Sequence, residues 1–245
     1  MAERFLNACQ DLGVTKLLFI RHANSLPISG ANRQDQPHDW KFRDQTRLLS
    51  DKGKDQCLTN RSLITEFEIK ANLTSPARRA SETAARLTIG PGGGDIFLRM
   101  IESLHPAGMS ATCEDLFDSM GYGPVRLFYS FTPSIPYFLV RLLYVHDFQL
   151  RKFFEVDGGR DAFLAYANNV CAELAAKTSG PAIAGVSCGD TIAIFGHAVF
   201  LNAVAFVIAD YWGFPDVDFI LDVDLGEAEV LVIDKSENRI THRKP

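Results

Sequence analysis

The stretch from Thr191 to Trp212 places the strongest limit on the fold, because it carries almost no charge over its whole length. It is long enough to suggest a membrane span, but Gly196 and His197 interrupt it. A short buried strand over 191–195 followed by a buried helix over 198–208 gives the same hydropathy. We therefore expect a strand, a turn and a helix in the middle of an α/β core, and no membrane association.

Further apolar runs alternate with helical patterns along the chain. The expected strands are 16–20, 69–74, 96–101, 191–195, 217–222 and 227–233, and the expected helices are about 51–67, 76–87, 161–177 and 198–208. This alternation predicts a three-layer αβα sandwich with a mainly parallel sheet and an antiparallel edge strand. The polar segment up to about Arg47 is predicted to be a long loop. We expect a single domain over 1–245, with a helical, aromatic-rich insert at about 106–157.

Composition limits the function further. The chain has 245 residues, of which 47% are apolar and 22% charged, so it is neither disordered nor fibrous. A net charge of -5 argues against a nonspecific nucleic-acid binder. The five cysteines are scattered, and no Cys/His cluster has the spacing of a zinc site. We therefore expect free thiols and no bound metal. Since the N-terminus lacks an apolar signal core, we expect a cytoplasmic protein, with location in an organelle left open.

Two histidines follow buried strands directly, which is where ligands bind in open α/β sheets. His22, preceded by Arg21, ends the first strand, and His197 ends the strand 191–195. A third element is the helix that follows Ser75-Pro76, which begins at another strand end and contains Arg78 and Arg79. Together these positions predict a common site at one edge of the sheet.

Helix geometry indicates which arginine of that helix enters the site. Arg78, Glu82 and Arg86 are spaced i, i+4 and i+8, as in a solvent-exposed strip of ion pairs. Arg79 lies about 100° further round the helix and borders its apolar face. We therefore expect Arg79 in the site and Arg78 on the surface.

Four ordered segments now resemble the motifs of the histidine phosphatase superfamily, the phosphoglycerate-mutase-like proteins. They are Leu18–Ala23 (LFIRHA), Leu49–Gln56 (LSDKGKDQ), Ser75–Ala84 (SPARRASETA) and Ile194–Ala198 (IFGHA). The matches span roughly residues 16 to 200 and so include most of the predicted core. The third motif of the superfamily also selects Arg79 over Arg78.

The resemblance implies a mechanism that suits these residue types. His22 attacks phosphorus and becomes a phosphohistidine, which water then hydrolyses. Arg21 and Arg79 hold the nonbridging oxygens. His197, expected to be cationic, balances charge on the transferring group, so that no metal or other cofactor is implied.

Two departures from the pattern affect this expectation. Ala23 replaces the usual glycine, which is tolerable if its φ is negative. Alignment on Leu104 places Pro106 where many members have the glutamate that acts as general acid, and proline cannot donate a proton. The pattern is therefore closest to the phosphohistidine phosphatase branch, which lacks this acid. Glu102 and His105 are the nearest replacements in sequence, Glu114, Asp115 and Asp118 are the next, and we favour Glu102.

The remaining expectations concern the substrate. Asn24, Ser25, Asn32 and His105 are candidates for binding it. The predicted function is hydrolysis of a phosphomonoester or phosphoramidate, on a phosphorylated small molecule or phosphoprotein. Two alternatives stay open, namely a phosphoglycerate or phosphosugar mutase and a non-catalytic phosphate- or phosphoprotein-binding relative. The aromatic insert either packs as a cap over the site or forms the face of a homodimer.

Overall fold

The computed structural model describes residues 1–27, 37–89, 98–105, 149–179 and 189–245. Its strands are β1 (Lys16–Arg21), β2 (Ile69–Thr74), β3 (Leu98–Met100), β4 (Thr191–Gly196), β5 (Val230–Asp234) and β6 (Arg239–Arg243). Its α-helices are α1 (Ala2–Asp11), α2 (Pro37–Thr46), α3 (Asp51–Asn60), α4 (Arg78–Thr88), α5 (Leu150–Phe154), α6 (Gly159–Thr178), α7 (Ala198–Trp212) and α8 (Phe219–Asp222). Short 3₁₀ turns cover Arg61–Leu63 and Glu102–Leu104.

All six strands form one sheet in the order β3-β2-β4-β1-β5-β6. The first four of these are mutually parallel, and β5 and β6 are antiparallel additions at one edge. The apolar strand β4 lies between β1 and β2, in the centre of the parallel part. The mainly parallel sheet is thus confirmed, with two antiparallel strands at its edge.

Alternating side chains of β1 show that the sheet is covered on both faces. Leu17 and Phe19 belong to a core that includes side chains of α1, α6 and α7. Leu18 and Ile20 point the other way, into a second core formed with α3 and α4. All four side chains are fully buried, as expected for a parallel strand between two helical layers. The three-layer αβα prediction is confirmed.

Several local predictions differ from the structure. The segment before Arg47, expected to be a loop, contains α2. The run expected as a strand over 217–222 ends in the short helix α8, because a brief apolar run does not distinguish strand from helix. The polar edge strand β6 was not predicted, and charged side chains are typical of edge strands.

The helix predicted from Ser75-Pro76 begins two residues later, at Arg78. Most of the predicted insert lies outside the described residues, and α5 is one described part of it. No helix in the described ranges is both long and apolar enough to cross a bilayer.

Candidate active site

The carboxyl ends of three adjacent parallel strands form the floor of the site. The backbone N–H of His22, after β1, donates to the carbonyl of Gly196 at the end of β4 (3.0 Å). The N–H of Ser75, after β2, donates to the carbonyl of Phe195 (2.9 Å). These bonds fix the strand ends side by side, so that the rings of His22 and His197 lie with centroids 5.1 Å apart. The structure thus brings the two strand-end histidines together.

Two helices hold the loop that follows His22. The Ala23 N–H donates to Thr83 Oγ1 of α4 (3.0 Å), and the Asn24 N–H donates to Gln56 Oε1 of α3 (2.8 Å). Gly53 allows α3 to approach, since a Cβ there would lie 2.0 Å from the Asn24 carbonyl oxygen. The second and third sequence motifs therefore supply the contacts that fix the backbone around His22.

Hydrogen bonds select one tautomer of His22. Its Nδ1–H donates to the carbonyl of Ala23 (2.8 Å), because a carbonyl oxygen only accepts. The Nε–H of Arg79 donates to His22 Nε2 (3.1 Å), which therefore carries the lone pair. Ala23 is not among the described residues with positive φ, so alanine in place of glycine causes no strain here. The nitrogen with the lone pair faces the guanidinium group.

The charge state of His22 agrees with this tautomer. Burial lowers the pKa of His22 well below its ordinary value, and the positive charges of Arg79, Arg21 and Arg47 lower it further. Arg21 reaches this region from the end of β1, and its Nη1–H donates to the carbonyl of Leu225 (2.9 Å). A neutral imidazole with an accessible lone pair is the form that acts as a nucleophile.

Arg79 contacts three other residues of the site. Its side chain is buried with only 3% of the residue exposed, whereas Arg78 is exposed, as helix geometry predicts. Besides Nε on His22, its Nη1 donates to the backbone carbonyl of Asp44 and its Nη2 to Asp44 Oδ2 (3.1 Å). Nη2 also lies 3.3 Å from Nδ1 of His197. One guanidinium group therefore links both histidines and a carboxylate.

His197 is held in the complementary tautomer. Its Nδ1 accepts from Arg79, so the proton is on Nε2, which donates to Ser75 Oγ (3.0 Å). Burial lowers the pKa of His197 well below its ordinary value, and the positive charge of Arg79 contributes in the same direction. The expectation of a cationic His197 is therefore wrong for this arrangement, because the neighbouring cation disfavours a second positive charge.

Asp44 is the site residue that sequence reasoning missed. It lies on α2 with 6% of its surface exposed. Its Oδ2 accepts from Arg79 and from His105 Nε2 (both 3.1 Å), and its Oδ1 accepts from Arg47 (2.7 Å). Burial alone would raise the pKa of Asp44, but the His105 hydrogen bond and the two arginine charges lower it well below its usual range. Asp44 is therefore a carboxylate among cations.

His105, one of the predicted substrate-binding residues, lies inside this group. Its residue is 3% exposed, and its ring meets that of His197 edge-on with centroids 5.5 Å apart. It reaches the site from the 3₁₀ turn Glu102–Leu104 that follows β3. The structure thus adds the end of a fourth parallel strand to the site.

Glu102, the favoured acid, is not brought to this group. Its side chain is exposed, and its backbone N–H donates to Glu173 Oε1 of α6 (2.9 Å). Glu173 also accepts two hydrogen bonds from Ser103, and this pins the 3₁₀ turn. The turn leaves the side chain of Glu102 exposed and buries Leu104 and His105, so Glu102 is not part of the hydrogen-bonded group around Arg79.

The predicted roles of the loop residues have different outcomes. The Asn24 side chain donates to Glu227 (2.9 Å) and accepts from Ser50 (2.6 Å), and both contacts help to fix the loop; its role in substrate binding stays a prediction. Ser25 forms an isolated β-bridge with Leu49, and its role in substrate binding stays a prediction. Asn32 lies outside the described residues. Within the described ranges no group of three or more His, Cys, Asp or Glu side chains is arranged to hold a metal ion.

Comparison with known proteins gives similarity to solved structures only. No protein-family model and no curated protein sequence matches the chain. Similar solved structures include one from Agrobacterium tumefaciens assigned as the phosphohistidine phosphatase SixA (12% identity, TM-score 0.48, 90% of this chain and 92% of that one). Others are the phosphoserine phosphatase of Entamoeba histolytica (14%, 0.47) and a mycobacterial glucosyl-3-phosphoglycerate phosphatase (17%, 0.47), each with 94% of this chain and 96% of that one covered. At these values the likenesses carry no functional argument.

Proposed function

We propose that this protein is a phosphatase that transfers a phosphoryl group to Nε2 of His22 and then to water. One observation carries the proposal: Nε2 of a half-buried, neutral His22 holds its lone pair toward the guanidinium group of Arg79. A nitrogen nucleophile and a fixed cation at one point are what phosphoryl transfer to an enzyme requires.

Arg79 acts at the transfer step. When the substrate binds, the Nε–H of Arg79 exchanges its hydrogen-bond acceptor, His22 Nε2, for a phosphate oxygen. The lone pair of His22 is then free to attack phosphorus. Charge-assisted hydrogen bonds from Arg79 and Arg21 then stabilise the transferring group. Guanidinium groups remain protonated throughout, so we propose that the reaction needs no metal ion.

His197 and Ser75 have a positioning role in this scheme. The neutral ring of His197 accepts from Arg79 Nη2 and donates to Ser75 Oγ, which ties the guanidinium group to the end of β2. In the second half of the reaction, water attacks the phosphohistidine, inorganic phosphate leaves, and Nε2 recovers its lone pair. The substrate class is a phosphomonoester or phosphoramidate of a small molecule or a protein.

The test is to trap the intermediate. The purified protein is mixed with p-nitrophenyl phosphate and a metal chelator, and the reaction is quenched in alkali, in which phosphohistidine is stable. We expect turnover and a phosphohistidine in the wild-type protein, and neither in His22→Asn. His242→Asn is the matched control, because this histidine pairs with Glu229 away from the two site histidines.

The alternatives give different results. Equal activity in wild type and His22→Asn would contradict the proposal. Isomerisation of 3-phosphoglycerate at a rate well above its hydrolysis would favour a mutase. Binding of inorganic phosphate without any phosphohistidine from any phosphorylated substrate would favour a non-catalytic relative.

A further inference from the structure

Phosphoryl transfer from an alkyl ester needs a proton that the residues above do not supply. The leaving oxygen becomes an alkoxide unless an acid protonates it as the P–O bond breaks. Both rings are neutral, so each has a single N–H group. That of His22 donates to the carbonyl of Ala23, and that of His197 donates to Ser75 Oγ. Arginine does not release its proton in proteins. Another group must therefore act as the acid.

We propose that His105 is the general acid of this site and that Asp44 is its positioning residue; the proposal rests on the proposed function and deepens it. His105 is buried beside the ring of His197, and Asp44 Oδ2 binds both His105 Nε2 and Arg79 Nη2. Since Arg79 also contacts His22 Nε2, the acid and the nucleophile belong to one hydrogen-bonded chain.

The hydrogen bond between His105 and Asp44 assigns the moving proton. Nε2–H is held by the carboxylate, so the proton that transfers is carried on Nδ1. A buried carboxylate behind an imidazole orients the ring and stabilises its cationic form. Asp44 itself stays ionised among its basic partners, because they lower its pKa well below the usual range, and so it cannot be the donor.

The backbone around His105 is rigidly held, as an acid that must meet the leaving group requires. Glu173 binds the N–H groups of Glu102 and Ser103, and the hydroxyl of Tyr166 donates to the Leu104 carbonyl (3.3 Å). Both contacts come from α6. The side chain of His105 therefore enters the site from a turn that α6 holds through two side chains.

The step is balanced as follows. His22 Nε2 forms a bond to phosphorus while the P–O bond breaks, and the electron pair of that bond goes to the leaving oxygen. The oxygen takes the proton from His105 Nδ1, and a neutral alcohol departs. His105, now neutral, accepts a proton from the water that attacks the phosphohistidine, and this restores both histidines.

The test compares two leaving groups. p-Nitrophenolate is a stable anion and needs little help from an acid, whereas the alkoxide from β-glycerophosphate needs a proton. For His105→Asn we expect kcat/KM on β-glycerophosphate to fall by about 10²–10⁴-fold, and kcat/KM on p-nitrophenyl phosphate to fall by less than tenfold. Asp44→Asn, which keeps the size and one acceptor oxygen, should show the same selectivity with a smaller loss.

His197→Asn is the control, because loss of its hold on Arg79 should lower both activities by similar factors. Equal losses on both substrates in His105→Asn would overturn the proposal, and so would a selective loss in His197→Asn. Retained activity on p-nitrophenyl phosphate shows that a variant is folded; if His105→Asn does not fold, a nonselective Asp44→Asn overturns the proposal. Activity in His22→Asn, by contrast, would contradict the phosphatase mechanism itself.

Discussion

The histidines of the site, His22 and His197, predict a specific loss of stability at mildly acidic pH. Burial and the arginine charges lower the pKa values of His22 and His197 in the folded protein. In the unfolded chain the same rings titrate near the ordinary value of about 6.5. Between these pKa values the unfolded state binds protons that the folded state refuses, so the free energy of unfolding falls as the pH falls.

The magnitude follows from linkage. Each ring that stays neutral in the folded protein contributes a slope that approaches about 1.4 kcal/mol per pH unit below pH 6.5. From pH 7.5 to 5.5 this amounts to about 1.4 kcal/mol for one histidine and about 2.7 kcal/mol for two. The lowered pKa of Asp44 does not enter this window: its contribution is lost only as the pH falls below the ordinary aspartate value of about 3.9.

The assay is urea unfolding at both pH values, followed by tryptophan fluorescence and circular dichroism. The wild-type protein is compared with His22→Gln, His197→Gln and the double variant, since differences between variants cancel the titration of all other groups. Each single variant should lose about 1.4 kcal/mol less than the wild type over this interval, and the double variant about 2.7 kcal/mol less. A wild-type slope equal to that of the double variant would refute the reasoning, because the rings would then titrate normally in the folded state.

Three further substitutions test the supporting contacts. Arg79→Lys removes the fork that links both histidines and should lower kcat/KM on p-nitrophenyl phosphate by about 10²–10³-fold, while the exposed control Arg78→Lys leaves it unchanged. Thr83→Val leaves a buried loop N–H without its acceptor and should cost about 1–3 kcal/mol in urea unfolding; Thr178→Val, which loses only bonds within α6, should cost less, and equal costs would contradict the loop contact. Gly53→Ala places a Cβ 2.0 Å from the Asn24 carbonyl oxygen and should lower the free energy of unfolding by about 1–3 kcal/mol. Alanine in place of glycine usually stabilises a helix, so an increase in this free energy would refute the close approach.

The sequence predicted those parts of the site that follow from local periodicity. The strands before His22 and His197 are continuous apolar runs, and the 3.6-residue period of α4 distinguishes Arg79 from Arg78. These signals are contained within one element each. The positions of His22 and His197 after their strands, and of Arg79 on the inner face of α4, therefore follow from nearby sequence alone.

Asp44 could not be found in this way, and the sequence named His105 without showing that its side chain, and not that of Glu102, points inward. The residues of α2 show no apolar stripe, and such a helix depends on tertiary contacts, here the ion pair between Asp44 and Arg79. After β3, the choice between Glu102 and His105 as the inward side chain depends on Glu173, which is some 70 positions away on α6. No local pattern encodes contacts at that separation.

Charge in the site accounts for both the neutral nucleophile and the expected ligand. The guanidinium groups of Arg21, Arg47 and Arg79 all lower the pKa of His22, which preserves its lone pair. The carboxylate of Asp44 offsets one of these three charges, and both strand-end histidines are neutral. An excess of positive charge therefore remains among the described residues of the site, and it favours the binding of a phosphomonoester dianion. A cationic His197 would strengthen phosphate binding, but its Nδ1 would then be protonated and could not accept the hydrogen bond from Arg79. Neutral strand-end histidines beside the arginines therefore let one site attract a dianion and keep its nucleophile unprotonated.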